Sequence, residues 1–184
     1  MTGPPGQGPP PPPRPLTRPA VTVRAARPAD IDGLLDLLVA VAGEARWIGT
    51  EAPVDVERRR QRLAAGIEGD DAVVLVAEAG GQLVGQLDLH LARYGVADLG
   101  MAVAAGWRGR GVGTALLAEA VDRAGKAGAH KLALQVWPHN TAAIALYERF
   151  GFQREGYLRR HYRRRSGELW DAVIMGLPLD RPRG

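Results

Sequence analysis

Apolar and polar positions follow two different periods along the chain, and each change of period marks a new element. The runs Ala72–Ala77 and Leu83–Leu91 are rich in Val and Leu and are joined through Gly80-Gly81, which predicts a β-hairpin. Two further apolar runs, Val96–Val103 and Lys131–Val136, predict two more strands. A short strand is also expected at residues 21–24, ahead of all of these.

Helical spacing accounts for the longer segments between the strands. Pro28 opens a first helix, in which the apolar residues Ile31, Leu34, Leu35, Leu38 and Val41 fall on one face. A second helix over about residues 54–67 is rich in arginine and keeps Val56, Leu63 and Ile67 on its inner side. A third begins at Thr114 and ends at Gly125 or Gly128. Because this helix links two strands, Lys131–Val136 is expected to run parallel to Val96–Val103.

A glycine-rich turn connects the strand Val96–Val103 to the third helix. It reads Arg108-Gly109-Arg110-Gly111-Val112-Gly113. Glycines let the backbone approach a ligand without a Cβ in the way, and several N–H groups can then converge on an anion at the helix N-terminus. Two arginines add positive charge. The turn therefore predicts a phosphate-binding site.

Two common phosphate-binding motifs do not fit this turn. Gly106 and Gly111 have the spacing of a Walker A loop, but Val112 and Gly113 stand where a lysine and a Ser/Thr are needed. A dinucleotide fingerprint would place its third glycine at Thr114 and an acidic residue about 20 positions further on, and residues 127–136 hold no acid. An NTPase and a dinucleotide-binding protein are thus excluded.

The pattern Arg108-x-x-Gly111-x-Gly113 resembles the first signature of the GCN5-related N-acetyltransferases (GNAT). A second block, Asn140 followed by the run 142–152, is similar to that family's next signature. The resemblance covers roughly residues 21–179, and the last hairpin is closest in pattern to bacterial enzymes that acetylate amino acids or related small amines. It implies an α/β (α+β) fold: a mixed, mostly antiparallel central sheet with a V-shaped splay between its fourth and fifth strands and helices on both faces.

The resemblance also implies acetyl-CoA as the cosubstrate, with no metal. In the family the pantetheine arm lies in the splay and pairs with free backbone groups of the fourth strand, here those of Met101 and Val103. Backbone donation near Ala102 or Val103 would polarise the thioester carbonyl, and the N–H groups of 109–114 would hold the pyrophosphate. The predicted cofactor-binding residues are Met101, Ala102, Val103, Arg108, Gly109, Arg110, Gly111, Val112, Gly113, Thr114, Asn140 and Tyr147.

Two residues of the second block have a predicted role and a structural alternative. Tyr147 matches the tyrosine that reaches the CoA sulfur in the family, and it is the predicted catalytic acid for the leaving thiolate. The alternative is a core tyrosine beside Leu146 and Phe150. Asn140 is a good N-cap for the following helix, and the resemblance also gives it a contact with pantetheine.

The general base and the acceptor pocket are less defined by the sequence. Asp98 and His90 could take the proton of the ammonium group, directly or through water, and Glu44 or Glu51 could orient that group. For each of the four, a surface or structural role is the commoner one. No base is assigned among them. Trp47 and Trp170 could wall an apolar acceptor pocket or simply belong to the core.

We therefore expect an N-acetyltransferase that moves an acetyl group from acetyl-CoA directly to a primary amine of a small molecule, such as an amino acid. A protein N-terminus or lysine is the alternative acceptor. A nucleic-acid-binding module is a weaker alternative, suggested by a pI of about 9.9 and five arginines within residues 159–165. The net charge is only +4, and Glu168 and Asp171 flank that basic stretch, which favours a solvated face.

The composition of the chain limits the chemistry, the cellular location and the number of domains that we expect. The 184 residues include no Cys, which excludes a cysteinyl intermediate, and the four histidines show no metal-ligand spacing. No apolar run reaches about 18 residues and no signal sequence is recognisable, so a cytoplasmic location is expected. We expect one domain over residues 20–180, a disordered Pro-rich tail at 1–19 and a short tail at 181–184. A homodimer through the last strands is compatible with the resemblance.

Overall fold

A computed structural model describes residues 20–69, 72–91 and 93–179. The predicted tails, 1–19 and 181–184, lie outside the described residues. The described residues form seven strands: β1 Thr22–Ala25, β2 Ala72–Ala79, β3 Gln82–Leu91, β4 Val96–Val103, β5 Lys131–Val136, β6 Gln153–Arg163 and β7 Leu169–Pro178. They also form four α-helices: α1 Ile31–Gly43, α2 Val56–Glu68, α3 Val112–Lys126 and α4 Thr141–Arg149.

All seven strands form one sheet in the order β1-β2-β3-β4-β5-β7-β6. Only β4 and β5 pair in parallel, and every other neighbouring pair is antiparallel. This confirms the mixed, mostly antiparallel sheet expected from the sequence. β4 and β5 have the predicted bounds.

The sheet splits between its two parallel strands. β4 and β5 pair only at Val96–Asp98 and Lys131–Ala133. Beyond that point β4 continues to Val103 against β3, and β5 continues to Val136 against β7. The backbone groups on the open side of β4 from Leu99 onward therefore face a gap, and the predicted V-shaped splay is confirmed.

Helices cover both faces of the sheet, as predicted. α3 and α4 share the larger apolar cluster, which includes the fully buried Leu116, Leu132 and Met175. α1 and α2 pack on the other face with β2, through Leu34 and Val76 among others. Burying each such side chain contributes about 1.5–3 kcal/mol to stability. This packing fixes one layer of helices on each face of the sheet.

Three helix boundaries differ slightly from the predicted ones. α3 begins at Val112, two residues earlier than expected, because Gly111 adopts a left-handed conformation (φ 85°) and serves as its N-cap. α2 begins at Val56 because the Asp55 carboxylate accepts the backbone N–H of Arg58 at 3.0 Å. Pro28 starts a single 3₁₀ turn that leads into α1 at Ile31.

Candidate active site

A cavity of about 790 Å³ occupies the split in the sheet. It is bounded by the second half of β4, the glycine-rich turn, the end of β5, α4 and the segment between α1 and α2. Its lining includes ten of the twelve predicted cofactor-binding residues: Met101, Ala102, Val103, Arg108, Gly109, Gly111, Gly113, Thr114, Asn140 and Tyr147.

The glycines of the turn have two different functions in the structure. Gly109 and Gly111 have φ values of 69° and 85°, and a Cβ added to either would meet no atom within 4 Å. Their backbone conformation, and not crowding, therefore requires glycine. At Gly113 a Cβ would lie 3.0 Å from Leu146 Cδ2, so this glycine lets α3 approach α4 closely. The first turn of α3 contains no acidic side chain, which suits an anion at its N-terminus.

Arg108 does not supply the free positive charge expected from the sequence. Its guanidinium forms a two-point ion pair with Glu44, with N–O distances of 2.7 and 2.5 Å. Its Nε also donates to the backbone oxygen of Val103 at 3.1 Å. The Arg108 hydrogen bonds hold the pKa of the Glu44 carboxyl below its usual range. Arg108 therefore joins the end of β4 to the start of the α1–α2 segment.

Two other predicted residues of the turn direct their side chains away from the cavity. The Arg110 guanidinium lies 5.6 Å from the ring centre of Trp107. Val112 is only 1% exposed and packs in the core, close to Gly85 of β3. The prediction that Arg110 and Val112 bind the cofactor can therefore apply to their backbone N–H groups, and their side chains do not line the cavity.

Tyr147 lies on α4 with its ring between the core and the cavity. It is 6% exposed, lines the cavity and packs against Phe152 with 5.6 Å between ring centres. Burial alone raises the pKa of its phenol to about 12. Tyr147 therefore packs in the core, as the structural alternative expects, and also lines the cavity, as the role of catalytic acid requires.

Asn140 caps α4, as the sequence predicts. Its Oδ1 accepts the backbone N–H of Ala143 at 3.3 Å, and the residue also lines the cavity. The N-cap bond fixes the side-chain oxygen and leaves the amide N–H₂ group available to a ligand.

Aromatic side chains wall the end of the cavity nearest to the α1–α2 segment. Trp47 and Ile48 line it from that segment, Trp137 from the end of β5 and Tyr162 from β6. Trp137 makes edge-on contacts with Tyr162 at 5.1 Å and with Trp170 at 5.3 Å. Trp47 therefore lies where the sequence suggested, whereas Trp170 packs against Trp137 and does not line the cavity.

The α1–α2 segment is fastened to the β6–β7 hairpin by a buried arginine. Arg164 is 5% exposed, donates to the backbone oxygen of Gly49 at 3.2 Å and pairs with Glu51 at 3.3 Å. Its guanidinium also stacks on Trp170 at 4.4 Å. The next residue, Arg165, donates its backbone N–H to Glu51 at 3.1 Å. These contacts hold the aromatic wall against the rest of the cavity.

The four candidate bases fall into two groups, two in ion pairs and two exposed on neighbouring strands. Glu44 and Glu51 are engaged in the ion pairs with Arg108 and Arg164. His90 and Asp98 lie opposite each other on β3 and β4, are exposed and do not belong to the cavity lining.

Asp88 is a fifth carboxylate that the sequence reasoning missed. It lies on β3, is partly buried, and burial raises its pKa. The signal in the sequence is a polar residue at every second position of an otherwise apolar strand, Gln86, Asp88 and His90.

Two kinds of feature are absent from the described residues. None of their helices has the length and apolar character needed to cross a membrane. The same residues contain no group of three His, Asp or Glu side chains placed to hold a metal ion.

A sheet split between two parallel strands, with an open helix N-terminus beside the gap and a buried tyrosine facing it, defines a class of α/β proteins. Such a site suits an extended ligand whose phosphate groups lie at the helix N-terminus. Comparison with known sequences identifies the family: the acetyltransferase (GNAT) family profile matches residues 41–152, and the chain belongs to this family. It is an acetyl-CoA-dependent N-acetyltransferase.

Relatives with different acceptors resemble the chain. It is 27% identical to an L-methionine sulfoximine/L-methionine sulfone acetyltransferase of Pseudomonas paraeruginosa, over 89% of this chain and 98% of that protein. It is 35% identical to the L-amino acid N-acetyltransferase AaaT of Escherichia coli, over 55% and 65% of the two chains. Among solved structures, a ribosomal-protein-alanine N-acetyltransferase from Brucella melitensis superposes with a TM-score of 0.78 at 31% identity, over 85% of this chain and 99% of that one.

Proposed function

We propose that the protein acetylates the primary amine of a small molecule, such as an amino acid. The observation that carries this proposal is the aromatic wall of Trp47, Trp137 and Tyr162 at one end of the cavity. Arg164 and Glu51 hold the α1–α2 segment in place, so aromatic side chains from three parts of the chain line this end of the cavity, which suits a small ligand. The relatives that acetylate methionine derivatives and L-amino acids support the same class of acceptor.

The open side of β4 is the proposed seat of the pantetheine arm. Free backbone groups of Met101 and Val103 would pair with it, and a backbone N–H near Ala102 or Val103 would donate to the thioester oxygen as negative charge develops. The N–H groups of residues 109–114 would hold the pyrophosphate at the start of α3. Asn140, already fixed as the N-cap of α4, would donate its amide to the arm.

Tyr147 is the proposed acid for the departing thiolate. The acceptor nitrogen attacks the thioester carbon, the C–S bond breaks, and the phenol donates its proton to the sulfur. The nitrogen loses a proton in the same reaction, so the phenolate can be reprotonated. A phenol with a pKa of about 12 is fully protonated at neutral pH and ready to donate.

A protein N-terminus is the second candidate acceptor. The likeness to the Brucella melitensis enzyme, whose name gives a ribosomal-protein alanine as its acceptor, favours this alternative. The aromatic lining of Trp47, Trp137 and Tyr162 favours a small acceptor over a peptide.

The experiment that separates the two uses acetyl-CoA and two fractions of a bacterial lysate. The small-molecule filtrate and the desalted protein pool are incubated separately with the protein, and the CoA thiol released is measured against Gly111→Asp as the inactive control. We expect release with the filtrate, to be followed by a panel of single amino acids. Release with the protein pool alone would overturn the proposal in favour of a protein acceptor.

A further inference from the structure

We propose that Gln86 and Asp88 on β3 form the site that receives the amino group of the acceptor, and that Asp88 takes the proton from it. The inference rests on the proposed function, because it assumes a primary amine as the acceptor. None of the four base candidates considered from the sequence is part of this pair.

Strand register places the pair beside the reacting centre. Gln86 lies opposite Ala102 and Asp88 lies opposite Gly100 on β4. Residues opposite each other in an antiparallel pair direct their side chains to the same face of the sheet. Gly100 and Ala102 line the cavity, next to the backbone proposed to bind the thioester. Gln86 and Asp88 are not themselves part of the cavity lining. They lie on the neighbouring strand, beside the stretch of β4 at which an amine would attack.

The β4 residue that lies opposite Asp88 and lines the cavity is a glycine, Gly100. A Cβ added to Gly100 would meet no atom within 4 Å, so the space beside Asp88 on this face is free. Asp88 is accordingly only partly buried, although its neighbours Leu87 and Leu89 are within the core.

One hydrogen-bonding group of the Gln86–Asp88 pair has no partner among the described residues. Gln86 is 4% exposed and donates its Nε2 to Asp88 Oδ2 at 3.2 Å. Its own Oε1 is buried and has no hydrogen-bond partner within the described part of the chain. A buried acceptor without a donor is unfavourable, and the neighbouring carboxylate accepts hydrogen bonds as well. An ammonium group, which has three N–H donors, matches both.

The charges around Asp88 come from three elements. Arg59 of α2 and His90 of the same strand both favour its carboxylate form, while burial disfavours it and is the larger effect. Arg59 donates to Thr50 Oγ1 at 3.0 Å. Asp98 on β4 lies diagonally across from Asp88, and the facing residues of β2, Val74 and Val76, are apolar. The pKa of Asp88 is therefore higher than that of an exposed aspartate, and no ion pair neutralises its carboxylate within the described residues.

The proposed step conserves protons. The bound ammonium gives one proton to the Asp88 carboxylate and becomes a neutral amine, which attacks the thioester carbon. As the C–S bond breaks, Tyr147 protonates the thiolate and the nitrogen loses its second proton, which restores the phenol. Asp88 then returns its own proton to solvent. The free enzyme therefore needs Asp88 in its ionised form, and kcat/KM for the acceptor should fall in acid as this group is protonated.

The test compares Asp88→Asn with Asp98→Asn, which removes an exposed carboxylate from the same face of the sheet. Both variants and the wild type are assayed over pH with acetyl-CoA and the amino acid that gives the fastest CoA release in the panel. We expect Asp88→Asn to lower kcat/KM for the amine roughly 10²-fold at neutral pH and to abolish the acid limb. Its affinity for acetyl-CoA should stay within twofold, and Asp98→Asn should resemble the wild type.

A stability measurement separates this role from a structural one. Because burial raises the pKa of Asp88, the folded protein loses stability as pH rises through that pKa, and Asp88→Asn should be at least as stable as the wild type at neutral pH. An Asp88→Asn protein with the wild-type pH profile would overturn the inference, and so would loss of the acid limb in Asp98→Asn. If the wild type releases no CoA with any amine, the proposed function itself fails.

Discussion

The Tyr147 phenol is a single group on which the proposed chemistry depends. Tyr147→Phe removes one oxygen atom and keeps the ring packed against Phe152. Because the proton donor to sulfur is lost, we expect kcat to fall roughly 10²-fold while acetyl-CoA affinity is retained. Initial rates and calorimetric titration with acetyl-CoA check this. Full activity of the variant at every pH would show that another group, or water, protonates the thiolate.

The same phenol should make stability depend on pH in the alkaline range. Its pKa is raised to about 12 in the folded protein, above the value of about 10 for an unperturbed tyrosine. The folded state therefore holds the proton more tightly, and the stabilisation is present below pH 10 and lost as pH rises toward 12. Denaturant titrations across this range should show a steeper loss for the wild type than for Tyr147→Phe. Parallel curves would mean that the phenol is hydrated in the folded protein.

The start of α3 is an element whose backbone, and not its side chains, forms the binding surface. Gly111→Asp places a side chain at φ 85° and adds a negative charge where the pyrophosphate would bind, so acetyl-CoA affinity should be lost. Gly128→Asp is the matched control: it has φ 80° and free space around its Cβ, and it lies beyond the other end of the same helix. Both variants should lose similar stability, and only Gly111→Asp should lose affinity, as calorimetry can measure. Equal affinities would refute the assignment of this turn.

The ion pair of Arg108 and Glu44 joins β4 to the segment that carries Trp47. Glu44 also accepts the indole N–H of Trp47 at 2.7 Å, so Glu44→Gln weakens both contacts. We expect the KM for the acceptor amine to rise several-fold, with little change in acetyl-CoA affinity. Glu119→Gln, which breaks a similarly exposed Arg–Glu pair on α3, should leave this KM unchanged. An unchanged KM in Glu44→Gln would mean that Trp47 is held in place by packing alone.

Glu44 also gives a prediction at acid pH. Its pKa is lowered in the folded protein, so its stabilising effect is present above the ordinary glutamate pKa and is lost as pH falls through the folded value. Wild type should therefore exceed Glu44→Gln in stability at neutral pH and converge with it in acid. Chemical denaturation at the two pH values measures the difference, and a constant gap would contradict the ion pair.

Elements defined by local pattern could be predicted, and contacts between distant segments could not. The hairpin at Gly80-Gly81, the strand Lys131–Val136 and the Asn140 cap each follow from neighbouring residues, and each is confirmed. The pairing of Arg108 with Glu44 joins positions 64 residues apart, and nothing in the sequence around either residue indicates it. Asp88 was missed for a similar reason, because its significance comes from the facing Gly100 on another strand.

The arrangement of the whole molecule follows from one topological feature, the separation of β4 from β5. Parallel pairing stops after Asp98 and Ala133, and the cavity, the glycine-rich turn and α4 all meet at the opening. The basic hairpin, which suggested nucleic acid, contributes Arg164, whose contacts with Gly49 and Glu51 hold the α1–α2 segment. A dimer through β6, the edge strand with an exposed Tyr157, stays a prediction.

Following the label of deuterated acetyl-CoA by mass spectrometry tests the proposed reaction most directly. The protein is incubated with labelled acetyl-CoA, a mixture of amino acids and a desalted protein pool together. The enzyme, the pool proteins and the small molecules are then separated, and each fraction is analysed by mass spectrometry for the label. We predict label on the amino group of a small molecule and none on the enzyme, because the acetyl group moves in one step. Label found only on proteins of the pool, or held covalently on the enzyme, would contradict direct transfer to a small-molecule amine.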